Sequence, residues 1–379
     1  MSMKNMKRHL PAAVFCLFIT LMMVLFFVLP KQEYSINEKR KLRSLPTPTV
    51  ESVLNGNFSD EFESYLSDNF QWRDFFVGTN AYYNLLSGRN GTSGLYKGKD
   101  GYIINTPIEN NSESISRNVK KFNNFIERIN KTADMMIVPS TGYIMNNKLP
   151  RNHLKYDDSA ILADIDNRLS DKINFISLEN TFKSAMNSEQ LYYKTDHHWT
   201  TQGAYNAYLK YCDIKGLMPV ARNSFYVKEY ENFFGTAYSK SGLWLTKPDK
   251  VQVWSDKSGY DVNVEIDDGA EGKKKSKSLF FNEHLKNMDK YPVFLDGNHS
   301  FVKVTNNKLP GGKLLIIKDS FAHCMVPFLT NHYKEIYMVD LRYYKSAVSM
   351  LVQSENINDI LILYGLDNIV NDTNIVWVK

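Results

Sequence analysis

Residues 313–321 read KLLIIKDSF. The apolar run 314–317 consists of leucine and isoleucine, which is typical of a short strand buried on both faces of a parallel sheet. Lys318 and Asp319 end this run, and the following residues, 321–326, are typical of the start of a helix. Ser320 is therefore predicted to lie in a strand-to-helix turn, where a serine hydroxyl meets an incoming carbonyl group.

The regions on both sides of this segment alternate between helix-like and strand-like patterns. Helices are predicted from apolar residues at helical spacing, at 115–129, 161–169, 322–331 and 345–354. Strands are predicted from short apolar runs, at 134–139, 173–178, 313–317, 335–339 and 359–363. Such alternation predicts an α/β fold, with a parallel sheet flanked by helices.

The stretch 223–312 interrupts this alternation. Residues 251–254 and 262–266 alternate between apolar and polar like exposed strands, so a β-rich insertion or lid is predicted here. The basic run 273–277, KKKSK, is predicted to be a solvated loop tip. It has no interleaved aromatic residues, so nucleic acid is not expected as a partner.

A second motif, TDHHWT, lies at residues 195–200. Asp196 and His198 are two positions apart and can lie on the same side of an extended segment, so the carboxylate can accept a hydrogen bond from one imidazole nitrogen. The other nitrogen is then free to take a proton from a nucleophile. Ser320, His198 and Asp196 are accordingly the predicted catalytic residues, and His197 is expected to face away from them.

Further candidates follow the predicted strands, because ligands gather at the carboxyl ends of strands in α/β folds. Asn368 and the backbone N–H beside Ser320 are expected to donate hydrogen bonds to an oxyanion. Arg342 is interpreted either as a group that binds an anionic part of the substrate or as a member of a structural ion pair. Trp199 is interpreted either as a packing wall behind His198 or as a platform for a sugar ring.

The N-terminus predicts where the protein is located. Residues 1–11 are predicted to be cytoplasmic. Residues 12–29 form an uncharged stretch that is preceded by basic residues and lacks a small-residue cleavage site. These properties favour an uncleaved transmembrane signal anchor over a cleaved signal sequence. Residues 30–52 are predicted to be a tether, and 53–379 an extracytoplasmic domain. The protein is thus expected at the cell membrane as a single-pass protein.

Composition agrees with a globular protein outside the span. The chain has 379 residues, 43% of them hydrophobic and 23% charged, which suits one large domain or two smaller ones. A formal net charge of +5 favours an acidic partner only weakly. Three cysteines occur without the spacing of a metal site or a disulfide framework, so neither is expected.

Residues 192–205, YYKTDHHWTTQGAY, resemble the hallmark of the DHHW family. This family belongs with SGNH-hydrolase-like proteins related to the alginate O-acetyltransferases, which share an Asp-x-His-Trp motif and a later Asp-Ser-Phe or Asp-Ser-Tyr motif. Asp196, His198 and Trp199 match the first motif, and 319–321 match the second. The resemblance implies an SGNH-like sheet in circularly permuted order, with the Asp-His pair before the serine. Lys318 stands where the family pattern has glycine.

The resemblance also implies a reaction and its partners. An acetyl group would pass from a donor to Ser320 and then to a hydroxyl of a polysaccharide acceptor, with the donor supplied by a membrane-bound O-acyltransferase; no cofactor and no metal are expected. A carbohydrate acetyl-esterase with the same triad and a non-catalytic component of an export or modification complex are the alternatives. Manganese phosphoesterases also carry an Asp-His-His triplet, but Asp164 and Asp166, the candidates for additional ligands, lie on the polar side of a predicted helix.

Overall fold

The computed structural model describes residues 3–269 and 272–379. The chain divides into two compact units, Met1–Arg89 with Ser239–Trp244, and Asn90–Tyr238 with Leu245–Lys379. The elements before Asn90 are, in order, α1 (Met3–Val28), β1 (Tyr34–Ser35), β2 (Arg40–Lys41), α2 (Val50–Leu54), α3 (Asn57–Asp68) and α4 (Arg73–Leu86).

The first unit contains the candidate membrane span. Within α1, the segment His9–Val28 is long and apolar enough to cross a membrane, by length and composition. Three helices, α2, α3 and α4, follow in the same unit. Gly56 separates α2 from α3 with a φ of 83°, and Trp72 precedes α4 with a φ of 56°, so the chain turns sharply at both points.

The second unit is built on one large sheet. Its helices and strands are β3 (Gly91–Thr92), β4 (Leu95–Lys97), β5 (Ile103–Asn105), α5 (Ser112–Ile129), β6 (Ala133–Val138), α6 (Thr141–Ile144), α7 (Asp158–Arg168), β7 (Ile173–Ile176), α8 (Glu179–Ala185), α9 (Thr201–Lys215), β8 (Phe225–Phe233), α10 (Thr236–Ser241, which runs into the first unit), β9 (Asp249–Asp256), β10 (Val262–Asp267), β11 (Lys273–Ser276), β12 (Phe301–Asn306), β13 (Lys313–Lys318), α11 (Ala322–Leu329), β14 (Glu335–Val339), α12 (Val348–Ser354), β15 (Asp359–Gly365) and α13 (Leu366–Asn371).

Among the described residues, eight strands form this sheet in the order β11-β10-β12-β14-β13-β15-β6-β7. The strands from β14 to β7 are parallel to one another, whereas β12, β10 and β11 are added antiparallel at one edge. The mixed α/β architecture with a mostly parallel sheet agrees with the fold class predicted from the sequence. Because β13, β14 and β15 are parallel neighbours, the residues that follow them meet at one edge of the sheet.

Two hydrophobic clusters cover the two faces of the sheet. Leu314 and Ile316 belong to the cluster beneath α9 and α11, whereas Leu315 and Ile317 belong to the cluster beneath α5, α7 and α12. All four side chains are fully buried. Alternate residues of a strand point to opposite faces, which explains why this strand is apolar at every position and not at every second one.

The predicted insertion at 223–312 is only partly separate from the sheet. Strands β8 and β9 form their own two-stranded sheet, but β10 and β12 are hydrogen-bonded into the central sheet, with Phe301 opposite Val339. The alternating pattern at 262–266 therefore belongs to an antiparallel strand with one covered face, since Val262, Val264 and Ile266 are buried. The expectation of exposed strands in a lid was wrong for this segment.

The basic run 273–277 was also interpreted wrongly as a loop tip. Residues Lys273–Ser276 form β11, the edge strand of the sheet, paired antiparallel with β10. Lysines on an edge strand discourage pairing with another chain, which gives a physical reason for this composition.

Candidate active site

Ser320 lies in the turn between β13 and α11, and Asp319 holds this turn in place. One carboxylate oxygen of Asp319 accepts a hydrogen bond from the backbone N–H of Phe321 at 2.9 Å. The other oxygen accepts from the backbone N–H of Gly365 and from the side-chain amide of Asn368, both at 2.7 Å. Burial raises the pKa of Asp319 although these three hydrogen bonds act against it. The turn is thus tied to the end of the neighbouring strand β15.

His198 lies within hydrogen-bond distance of Ser320. The distance from His198 Nε2 to Ser320 Oγ is 2.6 Å, across 122 positions of sequence. His198 Nδ1 lies 2.5 Å from Asp196 Oδ1, which also accepts the backbone N–H of His198 at 3.0 Å. The structure therefore brings together the three side chains selected from the sequence, and all three are buried.

Asp196 is held by contacts on both carboxylate oxygens. Its Oδ2 accepts hydrogen bonds from the backbone N–H and the hydroxyl of Thr236, at 2.7 and 3.1 Å. Burial alone would raise the pKa of Asp196, but the attraction of His198 and His197 and the hydrogen bonds hold that pKa well below its usual range. Asp196 therefore carries its charge at neutral pH. Gly235 is required beside it, because a Cβ at Gly235 would lie 2.1 Å from the Asp196 Cβ.

The short loop that carries Asp196 and His198 ends where α9 begins. Tyr192 and Trp199 form an isolated β-bridge that closes the loop. Thr200 then caps α9, since its side-chain oxygen accepts a hydrogen bond from the backbone N–H of Gly203. The loop itself bends and does not form a regular strand.

His197 does not face away from the site, contrary to the expectation. Its ring centroid lies 3.8 Å from that of His198, and its Nδ1 lies 2.6 Å from Thr236 Oγ1. The expectation assumed an extended segment in which successive side chains alternate. Because the segment bends, two neighbouring histidines lie on the same side.

Tyr291 is part of the site and was not identified from the sequence. Its ring stacks on His198 with a centroid distance of 3.9 Å and an angle of 9° between the ring planes. Its hydroxyl donates a hydrogen bond to the backbone oxygen of Ser320 at 3.1 Å. Tyr291 comes from a short turn in the irregular region, where no local pattern marks it as functional.

Trp199 is fully buried, and its Nε1 donates a hydrogen bond to the backbone oxygen of Phe321 at 3.0 Å. A substrate-binding role for its ring is therefore wrong, because no face is open to a sugar. The packing-wall interpretation fits these contacts.

Arg342 makes an ion pair with Asp340. Its Nε and Nη2 lie 2.9 and 2.6 Å from the two carboxylate oxygens, a bidentate arrangement. This pairing favours the structural interpretation of Arg342 over anion binding. Asp340 also accepts a hydrogen bond from the buried ammonium group of Lys318 at 3.2 Å.

Lys318 occupies the position where the family pattern has glycine, and its ammonium group lies 2.7 Å from His323 Nε2. Burial lowers the pKa of Lys318 even though Asp340 is close. Burial, followed by the charge of Lys318, holds the pKa of His323 well below its usual range, so His323 is neutral and accepts the hydrogen bond. This lysine links the ends of β13 and β14 beneath the serine turn.

Within residues 3–269 and 272–379, two groups of side chains place possible metal ligands close together. The first, Asp196–His197–His198, is part of the triad arrangement, and both ring nitrogens of His198 already contact Asp196 or Ser320. The second is Glu283, His284 and Asp296. There, Asp296 lies 2.5 Å from the ammonium group of Lys274, which competes with a cation for the same carboxylate.

Comparison with known proteins identifies the family of the chain. The family model of the DHHW protein matches residues 96–339, which include both motifs. The chain belongs to the DHHW family. No match was found among curated proteins.

This DHHW protein shares its fold with solved structures. A DHHW family protein from Eubacterium siraeum is 22% identical, with a TM-score of 0.64, and the alignment covers 76% of this chain and 95% of the other. Bacillus cereus PatB1, solved with a sulfonyl adduct, is 20% identical, with a TM-score of 0.63, and the alignment covers 74% of this chain and 97% of the other. The O-acetyltransferase domain of Pseudomonas putida AlgJ is a more distant match. It is 12% identical, with a TM-score of 0.45, and the alignment covers 74% of this chain and 93% of the other.

Proposed function

We propose that this DHHW protein is a membrane-anchored, extracytoplasmic O-acetyltransferase that acts on a cell-surface or exported polysaccharide through Ser320, His198 and Asp196. The observation that supports this most is the continuous contact from Ser320 Oγ through His198 to the ionised Asp196. A nucleophile, a base and a group that orients the base form the arrangement needed for acyl transfer. The choice of an acetyl group as the transferred group and of a polysaccharide as the acceptor rests on the motif resemblance to the alginate O-acetyltransferases.

The proposed reaction has two steps. Ser320 Oγ attacks the carbonyl carbon of an acetyl ester while His198 takes the hydroxyl proton, and the tetrahedral intermediate collapses to an acetyl-serine as His198 returns the proton to the departing alcohol. A sugar hydroxyl then attacks the acetyl-serine and gives its proton to His198. The acetylated sugar leaves as the proton returns to Ser320, so the enzyme is regenerated. Asp196 stabilises the imidazolium in both steps.

Asn368 remains the proposed side-chain donor to the oxyanion, together with the backbone N–H of Ser320. One amide hydrogen of Asn368 is used by Asp319, which leaves the second for substrate. The amide therefore links the serine turn to the oxyanion position. Its loss would affect both the position of the turn and the stabilisation of the transition state.

We expect Asn368→Ala to lower kcat for acetyl-ester cleavage roughly a hundredfold, the effect of losing one oxyanion donor. Asn371→Ala is the matched control, because Asn371 lies in the same helix and its amide donates to the backbone oxygen of Asp367. Thermal unfolding of both variants measures how much stability is lost with the hydrogen bond from Asn368 to Asp319. Unchanged kcat in Asn368→Ala would assign the oxyanion role to backbone amides alone.

Tyr291 is proposed to position the imidazole of His198. We expect Tyr291→Leu to lower kcat/KM on the order of tenfold to a hundredfold, since the stacked ring is lost and the base is free to move. Tyr291→Phe keeps the ring and removes only the hydrogen bond to Ser320, so its cost is expected to be about fivefold or less. Equal activity of Tyr291→Leu and wild type would contradict the positioning role.

A sulfonyl fluoride provides a second readout, chosen because the similar PatB1 structure holds a sulfonyl adduct. The rate at which the reagent modifies Ser320 depends on activation of the serine by His198 and not on sugar binding. Tyr291→Leu should therefore react more slowly than Tyr291→Phe. Tyr343→Phe, an exposed tyrosine outside the site, serves as the control.

Transfer and hydrolysis differ in the nucleophile that attacks the acetyl-serine, which is a sugar hydroxyl in transfer and water in hydrolysis. With an acetyl-ester donor and a panel of polysaccharides or oligosaccharides, a transferase should consume donor faster as acceptor is added and should yield an acetylated sugar. Mass spectrometry of the glycans and the rate of donor consumption measure both effects. A constant rate without acetylated product over the whole panel would leave the esterase alternative.

The location and the donor are also part of the proposal. An apolar helix, His9–Val28, is available as the anchor, and the division into a cytoplasmic segment 1–11, an anchor 12–29, a tether 30–52 and an extracytoplasmic domain 53–379 stays a prediction. A site close to the bilayer suits an acetyl group delivered by a membrane-bound O-acyltransferase. The circularly permuted SGNH order is proposed from the resemblance, since Asp196 and His198 precede Ser320 along the chain.

A further inference from the structure

Helix α4 exposes an apolar stripe along one side. Phe75, Thr79, Tyr83 and Leu86 recur at intervals of three and four residues, which places them on one helix face, and Trp72 directly precedes the helix. All five are exposed, with the exposed fraction of the four large side chains between 58% for Trp72 and 88% for Leu86. Large exposed apolar side chains grouped in this way mark a surface that contacts a membrane or another protein.

The opposite face of α4 packs inside the first unit. A Cβ at Gly78 would lie 2.7 Å from the ring of Trp244, and Trp244 Nε1 donates a hydrogen bond to the backbone oxygen of Asp74 at 2.8 Å. Ala81 is buried on the same side. The buried face of α4 is thus formed by the small residues Gly78 and Ala81. The stripe lies on a different face and is not needed for packing inside the unit.

A contact between α3 and α1 lies near the C-terminal end of the apolar segment. The ring of Tyr65 in α3 lies 5.9 Å from that of Phe26 in α1, and Phe26 and Met22 are buried although they belong to the apolar segment. Phe26 is two residues from the end of α1, about 3 Å along the helix axis. Tyr65 is thus next to the boundary of the segment that would cross the bilayer.

A cavity connects the end of α1 to the start of the stripe. Leu29 and Pro30, which directly follow α1, line a cavity of 410 Å³ together with Phe70 and Trp72. Trp72 is the first residue of the stripe. Tryptophan, tyrosine and phenylalanine are favoured at the membrane–water interface because they combine an apolar ring with tolerance of the headgroup region.

From these contacts we infer that α4 lies in the outer interface of the lipid bilayer, with its stripe (Trp72, Phe75, Thr79, Tyr83 and Leu86) buried in lipid beside the anchor. This rests on the proposed membrane anchor. Two nearby arginines are ion-paired: Arg40 with Asp68 at 2.5 Å and Arg73 with Glu38 at 2.5 Å. We expect apolar burial to drive binding, without a requirement for anionic lipid.

Spin labels on the full-length protein in phosphatidylcholine vesicles test this inference. A nitroxide is attached to a cysteine introduced by Phe75→Cys or Tyr83→Cys in a Cys16→Ser background, in which Cys212 and Cys324 stay buried. The collision rates with oxygen, which concentrates in lipid, and with a water-soluble nickel chelate are then measured. The oxygen-to-nickel ratio is expected to be several-fold higher for these two labels than for a label at Asn80→Cys.

Asn80 is the matched control because it is exposed on the same helix but lies outside the stripe. A label at Ile19→Cys, within the apolar segment, reports the anchor separately. A lipid signal at Ile19 with water-like ratios at positions 75 and 83 would overturn the inference and leave the anchor intact. A water-like ratio at Ile19 would overturn the anchor and this inference together.

Discussion

Ser320→Ala is expected to reduce cleavage of a small acetyl ester such as p-nitrophenyl acetate by about 10⁴-fold or more, the loss seen when a nucleophile is removed from a triad. Ser320 Oγ is the atom that lies 2.6 Å from His198 Nε2, and alanine leaves the base without a proton donor. Folding should be little affected, because the hydrogen bond that is lost contributes about 1 kcal/mol to the free energy of unfolding.

Ser354→Ala provides the matched control, since Ser354 is an exposed serine at the end of α12. Wild-type protein incubated with the ester should also yield a peptide with an acetyl group on Ser320 by mass spectrometry, and the variant should not. Retention of wild-type activity in Ser320→Ala would remove the proposed nucleophile and the acyl-enzyme with it.

His198→Ala is expected to have the second large effect, again about 10⁴-fold in kcat/KM, because His198 Nε2 is the base that contacts Ser320 Oγ. Asp196→Asn should cost somewhat less, since the base remains. The structure adds a reason for a substantial loss in that variant. Both oxygens of Asp196 accept hydrogen bonds from backbone N–H groups, of His198 and of Thr236, so an amide NH₂ in either place would face a donor.

His153→Ala is the control for this pair, because His153 is exposed and does not contact the triad. The sulfonyl fluoride reaction supplies an independent measurement, since it needs the activated serine and no acceptor. If His198→Ala reacted with the reagent as fast as wild type, the base would have to be another group, and the proposed mechanism would be wrong.

Much of the central sheet was predictable from short apolar runs. The strand ending at Lys318 and the serine turn after it were correctly predicted, because a run such as 314–317 can be satisfied only where both faces are covered. The edge of the sheet was not predictable. Strand β12 pairs with β14 and β10 pairs with β12 through backbone groups, and a strand's sequence does not record which neighbour accepts its hydrogen bonds.

The site shows the same division. The residue types of Asp196, His198 and Ser320, and their places after predicted elements, indicated acyl-transfer chemistry. The positions of His197 and Tyr291 depended on how the loop bends and on which distant turn packs against it. Stacking of Tyr291 on His198 joins residues that are far apart in the chain, and no periodicity or local propensity encodes such a contact.

By itself, the sequence determined the alternating α/β architecture, the apolar N-terminal segment and the residues able to carry the chemistry, because these depend on local composition and spacing. The tertiary structure alone decided that Ser320 meets His198 across 122 positions, that Trp199 is closed to substrate, and that the stripe on α4 is left uncovered. Each of these results depends on packing between distant segments, where burial and hydrogen bonding are settled jointly by the whole fold and not by neighbours in the chain.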